Sequence, residues 1–260
     1  MDAIVTAGGT LKPGDPLLDA TGIEKKALIP LAGKQMVVWV LEALRGSGVV
    51  ENIAIVGVAP DELEYADDRL YFVESRGNLI DNIFAGLEKL QEITPDLKKF
   101  LLFSSDIPLV TPETVRGFVE ECGTQEADMY YTVVEERTME ARFPNSKRSY
   151  VPFKGGRYCG GDGFLIDVAA AHGNVALARQ LISNRKDYLA QVRLAGLGFI
   201  IRFLLRRMTV HQAARRVADR IGFNPQVVDT RFAELGMDLD KLHQYQMIKT
   251  ELEQRRHQVG

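Results

Sequence analysis

The residues able to do chemistry in this chain begin with Gly8 and Gly9, directly after the apolar run at residues 3–6. Two adjacent glycines at the end of a strand let backbone N–H groups approach a ligand closely, because they carry no Cβ and adopt φ > 0 freely. A polar loop follows, and Lys26 then opens a second apolar run. Bare N–H groups with a lysine returning beside them suit a polyphosphate, while Gly-Gly after a strand is also an ordinary turn. Asp106 follows the strongly apolar run at residues 100–104. The carboxyl ends of strands are where open α/β sheets bind ligands. A carboxylate there suits a hard cation such as Mg2+, which takes one or two carboxylates plus phosphate oxygens. The alternative is a cap for the helix opened by Pro112. Asp238 and Asp240, in the run GMDLDKL, precede a helical pattern from Leu242 and on their own read as a cap. Paired with Asp106 and a phosphate loop, they offer a second metal ligand.

These residues need a scaffold, and the apolar pattern predicts one. Residues 3–6, 53–58, 70–73 and 100–104 read as strands, and residues 35–45 and 79–91 as helices, with another helix opening at Pro112. Strand patterns recur at residues 129–134, 150–153, 160–167 and 226–229. Such alternation predicts a three-layer α/β/α domain with a mostly parallel sheet. There are no internal repeats and no low-complexity tracts.

At 260 residues the chain can bury one large α/β core, or a core with a lobe. A formal net charge of −3 argues against a general nucleic-acid binder. Cys122 and Cys159 lack CxxC spacing, so neither a disulfide framework nor a zinc site is indicated. Met1-Asp2 runs directly into strand-like sequence with no signal-peptide pattern, and the expectation is a cytoplasmic protein. His172, His211, His243 and His257 have no metal-ligand spacing and read as surface or cap residues. Trp39 reads as core, and Cys159 is assigned no chemistry.

Residues 185–220 differ in character. They read as helices and carry nine Lys or Arg against Asp187 and Asp219, a net +7 that leaves −10 for the rest of the chain. A basic lobe facing an anionic partner and a helical pair with solvated charged faces both fit that pattern. The run LAGLGFIIRFLLRRM within it is too short and too interrupted by Arg202 to span a bilayer, although peripheral contact with a lipid surface is open to it.

Four motifs in order carry a family resemblance. They are TAGG at residues 6–9 with KALIPLAGKQMVVWVLEAL at 26–44, NLIDNIFAGL at 78–87, SSDIPLVTPE at 104–113, and DLDKLHQYQMIK at 238–249. GRYCGGDGFLID at 156–167 is similar to a GGN segment, with Asp162 in place of asparagine. Together they resemble the MobA-like nucleotidyltransferases, relatives of molybdenum-cofactor guanylyltransferase and of the sugar-phosphate nucleotidyltransferases. Gln35 stands where that family usually has proline, and the loop TLKPGDPLLDATGIE holds Lys12 but not the arginine that many members use on the triphosphate.

The resemblance implies one nucleotide-diphospho-sugar transferase-like domain over residues 1–260, with a mixed, mainly parallel seven-stranded sheet. A small basic helical lobe is expected at about 185–222, and a C-terminal metal-site segment at 225–260. It implies a Mg2+-dependent nucleotidyltransferase that moves an NMP from an NTP to a small anionic acceptor, with release of pyrophosphate. Lys26 and Asp106 would be catalytic. Ala7, Gly8, Gly9, Thr10, Lys12, Lys26 and Ser105 would hold the nucleotide, with Asn78 and Asp81 beside the base. Asp106 and Asp240 would hold the metal, with Asp238 as the alternative, and Gly161, Asp162, Lys154 and Arg148 would meet the acceptor. A glycosyltransferase using the Asp-x-Asp and a non-catalytic nucleotide-binding regulator are the competing classes. The lysine after the glycine loop favours the first class, because a triphosphate donor needs that charge.

Overall fold

A computed structural model describes residues 1–173, 208–221 and 224–259. The elements run β1 (Asp2–Thr6), α1 (Pro16–Thr21), β2 (Pro30–Leu31), β3 (Lys34–Gln35), α2 (Met36–Gly46), β4 (Ile53–Val56), β5 (Leu70–Val73), α3 (Leu79–Ile93), β6 (Lys99–Ser104) and α4 (Pro112–Cys122). There follow β7 (Met129–Glu135), α5 (Glu136–Arg142), β8 (Val151–Phe153), β9 (Gly156–Asp167), α6 (Val168–Gly173), α7 (Val210–Ile221), β10 (Pro225–Asp229) and α8 (Leu242–Val259). Most of the expected basic lobe lies outside the described residues, which hold only its final helix, α7. No helix among the described residues is long and apolar enough to cross a membrane.

One sheet organises the chain, in the order β10-β7-β9-β6-β1-β4-β5, with β8 paired to β9 off that path. Among the described residues the sheet has eight strands, one more than the seven that the resemblance implies, and β8, expected as a strand at residues 150–153, folds back on β9. β1 pairs in parallel with β4 and β6, and β4 with β5, whereas β9 runs antiparallel between β6 and β7. The parallel strands are apolar along their whole length because both faces are covered. Ala3, Val5, Ile53 and Ile55 pack with α2 and α4 on one side, and Ile4, Ala54 and Val56 with α3 on the other. The helices start where their caps dictate: Thr111 accepts from the Thr114 N–H ahead of Pro112, and Asn78 accepts from the Asp81 N–H ahead of α3.

Because β1, β4, β5 and β6 are parallel, the segments that follow them open on one edge. That edge holds Ala7–Thr10, Gly57–Pro60, Glu74–Ser75 and Ser105–Asp106 together. The crossing is tight: a Cβ on Gly57 would lie 2.4 Å from the Gly8 Cα, and Gly57 has φ +102°. Only glycine lets the β4 exit pass against the glycine loop. A second core forms beside the sheet, where Leu239, Ile248 and Leu252 pack with Leu17, Ile29, Leu31 and Met139. It docks α8 and the preceding segment against α1 and the β2–β3 hairpin, and burying one leucine of this kind stabilises by about 1.5–3 kcal/mol.

Gly57→Ala combines that overlap with a disfavoured φ, and we expect it to cost about 2–4 kcal/mol of unfolding free energy. Urea denaturation checks this; a loss below about 0.5 kcal/mol would contradict the close approach.

Candidate active site

Lys26 opens a single 3-10 turn, Lys26–Leu28, and its N–H donates to the Gly9 carbonyl at 3.0 Å. Leu11 N–H donates to the Glu24 carbonyl at 2.8 Å, and Thr10 bridges Lys25 in antiparallel fashion. The polar loop is thus closed on itself around α1, which Asp15 caps at its N-terminus and Gly22 at its C-terminus. Gly9 and Thr10 are exposed. Among the described residues, no acceptor takes the N–H of Gly8, Gly9 or Thr10. Three free donors in a row at a strand end are available to an anion.

The Lys26 ammonium lies 2.6 Å from Asp106 Oδ2 and 2.5 Å from Asp240 Oδ1. Burial works against its charge, but the two carboxylates outweigh burial and hold its pKa above the ordinary lysine value. Asp106 is oriented by Ser104, whose hydroxyl donates to Oδ1 at 2.5 Å. The Leu239 N–H donates to the Asp106 carbonyl at 2.8 Å, and the Asp240 N–H to Gln244 Oε1 at 3.0 Å. The Lys26 and Asp106 side chains are each 16% exposed against 54% for Asp240, so the cluster opens towards solvent on the Asp240 side.

Asp162 arrives by a different route. β9 runs antiparallel to β6 and pairs Gly163 with Phe103, so the preceding residue, Asp162, reaches the same edge as Asp106. The β7–β9 register shifts between Tyr131 and Val133, a bulge that re-aims this segment. Thr132 donates to the Gly163 carbonyl at 2.9 Å, and a Cβ on Gly161 would lie 2.3 Å from Thr132 Oγ1. Gly161 therefore serves close packing beneath the bulge. Burial, and then the Asp106 charge, push the Asp162 carboxyl up to about 7, against the opposing pull of Arg148 and Lys26.

A cleft of about 560 Å³ adjoins the glycine loop, lined by Gly8, Thr10, Lys25, Gly57–Pro60 and Phe72–Ser75. Lys25 is held there by Glu62, at 2.6 and 2.5 Å from its two carboxylate oxygens. The Gly57–Pro60 wall was not evident from the sequence; the only signal was Gly-x-x-Pro directly after an apolar strand. Asn78 and Asp81 do not line this cleft. Asn78 Nδ2 donates to Asp81 Oδ2 at 2.5 Å, so the two cap α3 between them. Neighbouring Asn82 is buried and fixes the cleft rim by accepting from Ser75 Oγ and the Arg76 N–H.

The other expected residues divide. Ala7 is buried, with its N–H on the Val56 carbonyl, and Ser105 donates its N–H to Thr6 at 3.1 Å. Lys12 is exposed. Arg148 and Asp238 form an ion pair with each other. Lys154 sits at the β8–β9 turn, and β9 begins at Gly156, six residues or ~20 Å of extended strand before Asp162, so Lys154 lies away from the Lys26 cluster. Cys159 is buried and its thiol pKa raised chiefly by burial, in keeping with no chemical role. Trp39, expected in the core, is only half-buried and donates its indole N–H to Leu31 at 3.0 Å.

Among the described residues, no group of three or more His, Cys, Asp or Glu is placed to hold a metal by itself. Asp106 and Asp240 nevertheless converge on a single cation, the Lys26 ammonium, with Asp162 behind them. Two oxygen donors so placed fit a hard cation that completes its coordination with phosphate and water.

Asp162 ionises at about 7 in the fold against an ordinary value of 3.8, so the folded state keeps the proton through that window and stability falls as pH rises through it. We expect Asp162→Asn to leave the melting temperature unchanged at about pH 4 and to raise it at about pH 8. Equal effects at both pH values would contradict the placement.

Comparison with known proteins identifies the family of the chain. The MobA-like NTP transferase domain family matches residues 19–217. The structure is similar to a hypothetical transferase from Thermus thermophilus, with 32% identity and a TM-score of 0.80 over 94% of this chain and 98% of that one. A nucleotidyl transferase from Methanothermobacter thermautotrophicus shares the fold, at 15% identity and a TM-score of 0.55 over 98% of both chains. In sequence, the bifunctional protein GlmU of Caldanaerobacter subterraneus is 30% identical over 103 residues, 36% of this chain and only 21% of the relative's own length. The chain belongs to the MobA-like NTP transferase family of nucleotidyltransferases.

Proposed function

We propose that this protein transfers a nucleotidyl group from a nucleoside triphosphate to a small, phosphorylated acceptor. The observation that carries the reading is the meeting of Lys26, Asp106 and Asp240 beside the three free N–H groups of Gly8, Gly9 and Thr10. In this reading the N–H groups and Lys12 hold the β- and γ-phosphates, and the base and ribose occupy the cleft between Gly57–Pro60 and Phe72–Ser75. Lys26 meets the charge that develops on the α-phosphate. An acceptor phosphate oxygen attacks the α-phosphorus in line, the bond to the bridging oxygen breaks, and pyrophosphate leaves with the electron pair. No proton needs to move when the acceptor oxygen is already ionised. The catalysis is positioning and charge stabilisation.

Asp106 and Asp240 would hold Mg2+, which when bound neutralises phosphate charge. The acceptor would approach over Gly161 and Asp162 on the open side of the cluster. Its anionic character is the part of the reading that leans on the expected basic lobe. A cytoplasmic setting belongs to the same proposal and accords with the two free, buried cysteines. The pairing of Asp238 with Arg148 counts against a glycosyltransferase, since only Asp240 of the Asp-x-Asp is then open to solvent.

Pyrophosphate release tests the reading, with Mg2+, each of the four ribonucleoside triphosphates and a panel of sugar and polyol phosphates. We expect release that requires both an acceptor and Asp106. Lys26→Ala should lower turnover by about 10²–10³, the usual cost of removing a preorganised charge contact, and Asp106→Ala by at least as much. Near-normal turnover in either variant would sink the assignment.

A further inference from the structure

Asp240 is the more exposed of the two carboxylates on Lys26 and comes from the far end of the chain. Something must hold it in place. Two residues earlier, Asp238 is nearly enclosed and forms its ion pair with Arg148. Between them Leu239 is fully buried, with its N–H on the Asp106 carbonyl. The segment is pinned at Asp238, Leu239 and Asp240 in succession.

Arg148 stands in a loop whose neighbouring residues are pinned by hydrogen bonds. Its loop, between α5 and β8, places two non-glycine residues at positive φ, Asn145 at 64° and Lys147 at 52°. Such conformations persist only where surrounding contacts impose them. Here Glu140 of α5 imposes them. Its carboxylate accepts from the Asn145 N–H at 2.9 Å, from the Ser146 hydroxyl at 2.9 Å and from the Tyr150 hydroxyl at 2.6 Å. Ser146 is fully buried, and its carbonyl meets His243 Nε2 at 3.1 Å, on the first turn of α8. The loop is thus tied to α5 at one end and to the helix that follows Asp240 at the other.

We infer that Arg148 and Asp238 are positioning residues, a charged strut that sets Asp240 against Lys26 and so assembles the metal-binding pair. Neither then acts as a ligand. This rests on the reading of Asp106 and Asp240 as the metal pair, and assigns how the second of them is placed. A strut of this kind acts on the metal site while leaving the glycine loop untouched.

The test uses Mn2+ alone as the probe, with free Mn2+ followed by electron paramagnetic resonance, on the full chain and its Asp240→Ala, Arg148→Met, Arg148→Lys and Asp238→Ala variants. Melting temperatures are measured alongside. Wild type should bind Mn2+ and Asp240→Ala should bind it more weakly. Arg148→Met and Asp238→Ala should each weaken binding about tenfold, the low end of what supporting residues around a metal site contribute. A variant combining Arg148→Met with Asp238→Ala should lose no more than either single change, because the pair acts as one unit. Arg148→Lys, which keeps the charge without the fork and protects the test should Arg148→Met fail to fold, should fall between. Arg148→Met decides the matter, since removing a nearby cation would by simple electrostatics tighten Mn2+ binding. Tighter binding in Arg148→Met with weaker binding in Asp238→Ala would make Asp238 a ligand and overturn the strut. A lowered melting temperature with unchanged Mn2+ affinity in both variants would also overturn it, leaving a purely structural ion pair. Absence of Mn2+ binding by wild type would remove the metal reading itself and this inference with it.

Discussion

The contact of one ammonium with two carboxylates is the interaction on which this structure turns. Lys26 meets Asp106 from 80 residues away and Asp240 from 214 residues away. Lys26 and Asp106 sit in a partly enclosed place, where leaving either charge unpaired would cost several kcal/mol, while Asp240 stands on the open side. That cost constrains the fold: the exits of β1 and β6 and the entry to α8 must meet at one point. The parallel pairing of β1 with β6 satisfies the first half, and the second apolar core satisfies the other. The same contact is chemically unfinished. One ammonium against two carboxylates leaves the cluster more negative than positive, and a divalent cation would correct the imbalance.

The antiparallel β9 gives the site a feature that parallel strands alone cannot. A parallel strand offers its carboxyl end to the edge, whereas β9 offers its middle, through a bulge of small residues pressed against Thr132. A charged residue can thereby be set into the floor of the site from a strand that continues past it. The residue so placed here is an aspartate where the resembled family has an asparagine. Burial and its neighbours make it reluctant to ionise, so the fold tolerates the substitution at a cost that depends on pH.

The sheet was largely legible in the sequence because its strands are short apolar runs bounded by turn residues. Residues 70–73 were placed to the residue, and the helix from Pro112 announced itself by its proline. The positions of the glycine loop and Asp106, each directly at the end of such a run, and of Lys26, at the start of one, were legible for the same reason. What stayed hidden depends on distant chain segments meeting. α1 carries its own signals in Asp15, Pro16 and Gly22, but its six residues show too little periodicity to separate it from a loop. The two-residue strands β2 and β3 give no pattern at all. The wall formed by Gly57–Pro60 is visible only once β4 is known to lie beside β1. Arg148 and Asp238, ninety residues apart in the sequence, could each be read as a ligand from local motif alone. Their pairing follows from a loop conformation at Asn145 and Lys147 that nothing in the local sequence requires.

The central claim is that the β1 loop with Lys26 binds a triphosphate. Calorimetric titration of the intact protein with each of the four ribonucleoside triphosphates, repeated in the presence of inorganic tripolyphosphate, addresses it most directly. The account predicts one-to-one binding of at least one nucleotide, displaced by tripolyphosphate because both need the same N–H groups and lysine. Absence of binding by all four at millimolar concentration, or nucleotide binding indifferent to tripolyphosphate, would contradict it.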